Sequence, residues 1–451
     1  MKRIRVKNFG PITQGYTPDN GWLDVEKITL FCGFQGSGKS TIAKLISAFS
    51  WIEKALMRGD YTEEEIDFDM LKNERFEYLG IKEYFRKETE IEFDGQVYSF
   101  SIKDEKFIPI QKNYDRYVRP KIMYVPAERS FLSVVNDKVA SKISGLPQTL
   151  YTLNEEYDKA KRLIGKTLEP LPVENTFFFY DETEAVSYIT DKNRTFTIPV
   201  SVSASGIQSL IPLILVSRFL SDAKKSDIPT SRQALSLAVA KEIKSQIEGM
   251  NLSHEIYLNL PSSLENNEFK AVLREAGVPY SFGGQNDFLS SDVTKLKLLK
   301  FLSHFFNQSF LNIIEEPEQN LFPASQRTVL FDLLSCANQN SDNCLIMTTH
   351  SPYMINFLTL AIQASILKSK IEMSHSNNKK ILFEKLYAIV PELALITSND
   401  VAIYQLDGKG SIEKLPFEYD IPSDNNYLNN MLQEGNQLFD QLLEIEDDIK
   451  V

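Results

Sequence analysis

Apolar and polar positions alternate from the first residues. In "MKRIRVKNFGPI", Ile4, Val6 and Phe9 stand between polar neighbours, which predicts an opening strand. A second apolar run, "VEKITLFC", leads directly into the glycine-rich stretch "GFQGSGKST" at 33–41. Beyond it Ile42, Leu45, Ile46, Phe49 and Ile52 recur at helical spacing, and Gly59 predicts the stop. Charged helical segments are expected to about residue 88. "TEIEFDGQVYSFSIKD" then predicts a hairpin turning at Asp94–Gly95, and "KIMYVPAERS" a strand ending at Pro126.

Residues 136–172 read as mainly helical, and from about 175 alternating β-formers predict two or three strands. A helix is expected to begin near Gly206 and to carry Leu210, Ile211, Leu213, Ile214 and Val216 toward Phe219. The polar stretch 221–300, with loop signals at "KKSDIPTS" and "SFGGQND", reads as an inserted subdomain. Strand-like runs return in "FLNII" and "CLIMTT". After 424, Leu428, Met431, Leu432, Leu438, Phe439, Leu442 and Leu443 predict an amphipathic helix. The expected organisation is therefore four parts: 1–135 with the glycine loop and hairpin, 136–220 as an arm, 221–300 inserted, and 301–451 as a second lobe.

Composition narrows this picture only a little. With 451 residues the chain is long enough for more than one core, and 43% hydrophobic with 24% charged residues is ordinary for a soluble protein. No apolar stretch is long enough to cross a bilayer, and the N-terminus lacks a signal peptide's apolar core. Three cysteines without metal-like spacing fit a reducing cytoplasm, and four histidines speak against a His-rich metal site. A net charge of −12 weakens general nucleic-acid affinity without excluding a local basic groove.

Chemistry enters with the loop at 33–41. Gly33, Gly38, Lys39 and Ser40 complete G-x-x-x-x-G-K-[ST], between a strand and a helix. Glycines let backbone N–H groups curl around phosphates, and the helix start adds the positive end of its dipole. Gly33, Gln35, Gly36, Ser37, Gly38, Lys39, Ser40 and Thr41 are thus the expected ATP-binding loop. Lys39 is expected to reach the β- and γ-phosphates, and Ser40 to coordinate Mg2+.

Further down, "FLNIIEEPEQNLFP" offers Glu315 at a strand end as the metal-ordering carboxylate and Glu316 as the general base for water. A solvated acidic turn has the same local look, and pairing with the loop favours the chemical reading. His350 follows "CLIMTT", where an imidazole either contacts a γ-phosphate or the attacking water, or simply closes a turn. In "SVSASGIQSLIPLIL", Ser205 and Gly206 begin a helix whose N-terminus favours an anion, although a serine-rich N-cap reads the same way. A second phosphate-facing helix start makes sense if it closes over the ATP held by another copy. Glu128 and Arg129 in "YVPAERS" fit equally a γ-phosphate and Mg2+ sensor or a structural ion pair.

The order of phosphate loop, "SASGIQ", "IIEEPE" and "TTHSP" resembles soluble ATP-binding-cassette (ABC) ATPases of the RecF/SMC/OLD type. The resemblance covers roughly 1–135 and 200–451 excluding the insertion. It implies a P-loop NTPase fold of α/β class, with mixed sheets, helices on both faces and a helical inserted subdomain. It also implies that Ser205, Gly206 and Gln208 form the signature Ser-Gly-x-Gln, that Glu315 and Glu316 are the Walker B acid and catalytic glutamate, and that His350 is the switch histidine. Gln35 stands where many relatives have asparagine, and Glu315 where many have aspartate. No spacer is long enough for an SMC-type coiled coil, and no acidic nuclease cluster follows residue 424.

What the resemblance implies about partners is a homodimer or higher oligomer built from ATP-sandwich dimers. "EEPE" and "PAERS" also resemble ATPase subunits of bacterial antiphage systems, the PARIS kind foremost and the Septu kind near it. Such a subunit works beside a separate nuclease or toxin, TOPRIM-type in PARIS, and answers a phage-encoded trigger. Lys295, Lys297, Lys300, Lys379 and Lys380 are then candidate contacts for an acidic trigger, although such charges more often form a solvated face. The runner-up is a RecF-like DNA-repair ATPase binding duplex DNA directly. The motor half of a transporter is disfavoured by "EEPE" and by the absence of a membrane-partner signature.

Overall fold

A computed structural model of the chain describes residues 2–135, 145–221, 256–257, 280–281 and 307–449. The chain divides into two compact units, one of residues 1–117, 122–221 and 310–451, the other of 118–121 and 222–309. In the first unit a seven-stranded sheet has the order β2-β18-β17-β4-β16-β15-β8. Its strands are β2 (Gly15–Tyr16), β4 (Ile28–Gly33), β8 (Pro120–Val125), β15 (Ser309–Glu315), β16 (Cys344–Thr349), β17 (Val401–Leu406) and β18 (Ser411–Lys414). The four inner strands β17, β4, β16 and β15 run parallel.

These inner strands are apolar almost throughout because both faces of the sheet are covered. Leu30, Ile314, Met347 and Ile403 point into one core, and Phe31, Ile313, Ile346 and Ala402 into the other. The first core is shared with the helices Ser205–Ser221, Pro323–Asn338 and Pro352–Met373. The second belongs to the helix Lys39–Arg58 that follows the glycine loop.

That helix is roofed by an antiparallel sheet of order β3-β1-β5-β6-β7, made of β1 (Lys2–Lys7), β3 (Leu23–Val25), β5 (Glu90–Asp94), β6 (Tyr98–Lys103) and β7 (Lys106–Gln111). Phe49 on the helix stacks on Phe93 and Phe100 at 5.4 and 5.9 Å. The buried Glu53 carboxylate accepts the Val97 and Tyr98 amides at 2.7 and 3.1 Å, so one helix face anchors the hairpin by apolar and polar contacts together. A third sheet, β12-β11-β10-β9, follows the helix Gln148–Ile164, with β9 (Glu169–Pro170), β10 (Phe177–Asp181), β11 (Val186–Thr190) and β12 (Thr197–Pro199).

The architecture is the α/β arrangement of mixed sheets flanked by helices that the sequence predicts. β17 is an addition to it: a six-residue run carries no helical or alternating period, and its burial on both faces is decided only by its neighbours. The expected helical insertion at 221–300, with Lys295, Lys297 and Lys300, lies almost entirely outside the described residues. In the second unit β13 (Ile256–Tyr257) and β14 (Tyr280–Ser281) pair in parallel. The C-terminal helix forms at Tyr427–Ile449, with Leu438 and Leu442 exposed rather than packed. Among the described residues no helix is long and apolar enough to cross a membrane.

Candidate functional site

The parallel strands bring the motifs to one edge. Glu315 on β15 is in register with Thr348 on β16, which is in register with Phe31 on β4. At about 4.8 Å per strand, the glycine loop and the acidic pair stand about 10 Å apart along the same C-terminal crest. Gly33 has φ 133°, and a Cβ there would lie 2.2 Å from the Leu406 carbonyl oxygen on β17. Only glycine fits that junction.

Lys39, at the first turn of the helix, folds back over the loop. Its ammonium donates to the Gly33 and Phe34 carbonyls at 3.1 and 2.7 Å. Burial pulls its pKa down to about 8, against the opposing pull of the nearby Glu316. Gln35 and Gly36 are exposed, Ser40 is half-buried, and Ser37, Gly38 and Thr41 are buried. The Ser37 hydroxyl is buried with no hydrogen-bond partner.

His350 sits between Lys39 and Glu316. Its Nδ1 is 3.5 Å from Lys39 Nζ, and its Nε2 is 3.4 Å from Glu316 Oε1. Burial, then the Lys39 charge, hold the imidazole below its ordinary pKa even with Glu316 alongside. The ring is therefore neutral at pH 7. With Nδ1 accepting from the ammonium, Nε2–H faces the carboxylate; in the other tautomer the ring gives its N–H to the Gly33 carbonyl. Lysine, imidazole and carboxylate form one polar line.

Glu315 points the other way. One carboxylate oxygen accepts a hydrogen bond from the Tyr124 hydroxyl, and the other accepts the Ala127 amide at 3.2 Å. Burial, then Glu315 itself, raise the Tyr124 pKa well above its usual value, so the phenol stays protonated and donates. A carboxylate held in place with lone pairs to spare, together with the Ser40 hydroxyl, is an all-oxygen donor pair that fits Mg2+ bound jointly with phosphate oxygens and water. Glu315 and Ser40 are the residues that would hold it.

Glu316 has a strained backbone, φ 45°, uncommon for a residue with a side chain. Its amide donates to the Thr348 carbonyl at 2.9 Å, and its carbonyl receives the Gln319 amide at 3.0 Å and Arg129 Nη2 at 2.6 Å. Arg129 is fully buried, and its donors go to backbone carbonyls. Its charge also lies within electrostatic reach of Glu318, Glu316, Glu315 and Glu128. Glu128 is exposed.

Glu318, the last acid of "EEPE", was not singled out from sequence. Its Oε1 accepts the Thr349 hydroxyl at 2.7 Å and the His350 amide at 2.8 Å, so it fixes the backbone that carries the imidazole. Burial raises its pKa, and Oε2 is buried without a partner. The available signal was its place in the motif, two residues beyond Glu316 in a turn too tight to leave it in solvent.

The helix Ser205–Ser221 presents Ser205 exposed at its first turn. Gly206 is buried, and a Cβ there would lie 2.5 Å from the Asn320 carbonyl oxygen in the loop after Glu316. The Gln208 side chain donates to the Ser201 and Ser203 carbonyls at 2.9 and 3.0 Å, which fixes the turn before the helix. Lys379 and Lys380 open the helix Lys379–Ile389 and belong to no part of this crest.

No family model matches the chain, and no curated protein matches it. Among solved structures it is similar to an SMC head domain from Thermotoga maritima, at 10% identity and a TM-score of 0.34, covering 92% of this chain and 98% of that one. So distant a likeness carries no weight beside the topology and the crest described above.

Proposed function

We propose that the chain is an ATP hydrolase of the soluble ABC class which closes in pairs over ATP. The observation that carries this is the line Lys39–His350–Glu316 on the crest that also holds Glu315. These side chains lie 3.5 and 3.4 Å apart in turn along the line, which supports reading them as a phosphate-binding cation, a neutral imidazole and a carboxylate base. In this reading residues 33–41 wrap the triphosphate, and the Ser37 hydroxyl gains the partner it lacks. Glu316 takes the proton of the attacking water, and His350 holds that carboxylate and senses the γ-phosphate. Bound with Ser40 and Glu315, Mg2+ supplies charge neutralisation on the phosphate oxygens.

The exposed Ser205, beside the buried Gly206, is left facing outward at a helix start, where an anion is favoured. We assign it to the ATP of a second copy. Closure then depends on the γ-phosphate, because a ligand shifts an equilibrium only through its differential affinity for the two states. The switch is suited to regulate a separate effector. The resemblance of "EEPE" and "PAERS" to the ATPase subunit AriA of PARIS, with Septu PtuA a near competitor, supports a nuclease or toxin effector in antiphage defence and a phage-encoded trigger.

Two measurements test this. Purified protein is expected to hydrolyse Mg-ATP, and Glu316→Gln to form an ATP-dependent dimer by light scattering; monomer at saturating ATP overturns the closure. Phage plating on cells carrying the gene with its neighbours is expected to fall only when Lys39 and the neighbouring effector are both intact. DNA-stimulated hydrolysis without such protection turns the reading toward a DNA-repair ATPase.

A further inference from the structure

We infer that Arg129 is a positioning residue that ties the second turn of the helix Ser205–Ser221, next to its capping start, to the backbone of Glu316, so that capping of ATP by one copy and the base of that same copy move together. The inference rests on the closure proposed above and deepens it. Arg129 Nε donates to the Ser209 carbonyl at 3.1 Å. Its Nη1 donates to the Pro126 and Glu315 carbonyls at 3.2 and 2.6 Å, and Nη2 to the Glu316 carbonyl at 2.6 Å. One rigid planar group thus holds three segments that are distant in sequence.

The helix is built to need this hold. Pro212 lies inside it and has no N–H to give the Gln208 carbonyl four residues back. That carbonyl is taken instead by the Ser133 hydroxyl at 2.7 Å. The Ser209 carbonyl beside it is the one Arg129 takes, and the Ser209 hydroxyl donates to Gln319 Oε1 at 3.1 Å. The proline therefore opens the helix at the turn that follows Ser205, where Ser133 replaces the missing donor while Arg129 and Gln319 hold the neighbouring Ser209. At the other end of the guanidinium, Glu316 sits at φ 45°, a conformation that persists only when its surroundings hold it. A shift of the helix start is passed to that carbonyl through one side chain.

The test is Arg129→Lys in the full chain, which keeps the charge but cannot span the three segments. The expected result is a fall in kcat of about 10-fold or more with ATP Kd within about 3-fold of wild type. The ATP-dependent dimer of Glu316→Gln is expected to survive addition of Arg129→Lys, so that closure persists without its consequence. A kcat within about 3-fold of wild type, or parallel losses of kcat and Kd, overturns the inference. If Arg129→Lys is insoluble, Arg129→Gln, whose single amide cannot reach the Ser209 and Glu316 carbonyls together, is read in the same way: a lower kcat at constant Kd supports the coupling, and an unchanged kcat overturns it. Wild-type protein that neither hydrolyses ATP nor dimerises as Glu316→Gln removes the closure reading itself, a failure visible before any Arg129 variant is made.

Discussion

His350 Nε2 faces Glu316 Oε1 at 3.4 Å while Nδ1 of the same ring faces the Lys39 ammonium at 3.5 Å. A neutral imidazole in that position separates the cation from the carboxylate, so it positions Glu316 without neutralising it. Glu316→Gln is expected to lower kcat by about 100-fold or more and leave ATP Kd nearly unchanged. His350→Ala is expected to cost less, about 10-fold to 100-fold in kcat, since the base remains but is no longer oriented. Steady-state hydrolysis with fluorescent-nucleotide binding separates the two effects, and a His350→Ala loss confined to KM would assign the ring to binding instead.

The free-protein pKa of about 8 at Lys39 makes nucleotide binding pH-dependent in a definite direction. Below pH 8 the ammonium is charged before and after the triphosphate arrives, so affinity is flat. Above it, binding must take up a proton, and ATP affinity is expected to fall by up to about tenfold per pH unit. Stability of the free protein has the opposite sign. The folded pKa is below the ordinary 10.5, so the unfolded chain binds more protons between about 8 and 10.5, and this site's contribution to stability rises with pH through that window. Titration calorimetry from pH 7 to about 9.5 in buffers of different ionisation enthalpy reads the proton uptake; none at pH 9 would mean that Lys39 is already charged there.

How much of this was legible beforehand follows the range of the forces involved. Gly33–Thr41 was readable because a phosphate loop is a local object: its glycines, lysine and serine are set by contiguous backbone geometry. Glu315, Glu316 and His350 were readable one step further out, since each ends an apolar strand and parallel strands align their ends. Arg129 and Glu318 were not assigned their tasks, because both act on backbone groups of distant segments, and no local pattern records that a carbonyl 187 residues away needs a donor. Gln208 illustrates the same limit, as a signature position whose side chain is spent on its own turn. β17 was missed because burial on two faces erases the alternation by which a strand is recognised.

Gly206 meets the loop after Glu316 so closely that a single methyl group tests the contact. A Cβ would stand 2.5 Å from the Asn320 carbonyl oxygen and 3.2 Å from Leu321 Cδ2, and a backbone oxygen cannot swing aside. Gly206→Ala is expected to destabilise the fold by about 1–3 kcal/mol through overpacking. The displaced loop lies directly after Glu316, so kcat is expected to fall as well, while ATP binding to the separate glycine loop holds. Thermal unfolding and hydrolysis measured on the same preparation check both; a variant with wild-type melting temperature and rate would mean that the helix and the loop separate freely.

Glu318 offers the cleanest separation of charge from shape. Its Oε1 receives both the Thr349 hydroxyl and the His350 amide, whereas Oε2 is buried with nothing to accept. Burial already disfavours its ionised form. A carboxamide keeps the receiving oxygen at the cost of the charge that faces Arg129, so Glu318→Gln is expected to retain most activity with a modest loss of stability. Glu318→Ala removes the acceptor and leaves a buried amide and hydroxyl unpaired, at a cost of about 1–3 kcal/mol. With His350 no longer fixed through its own backbone, kcat is expected to fall toward the His350→Ala value while ATP Kd changes little. Rescue by Gln but not by Ala marks Glu318 as a hydrogen-bond acceptor that sets the imidazole, and equal losses in both variants would instead make its negative charge the feature that matters.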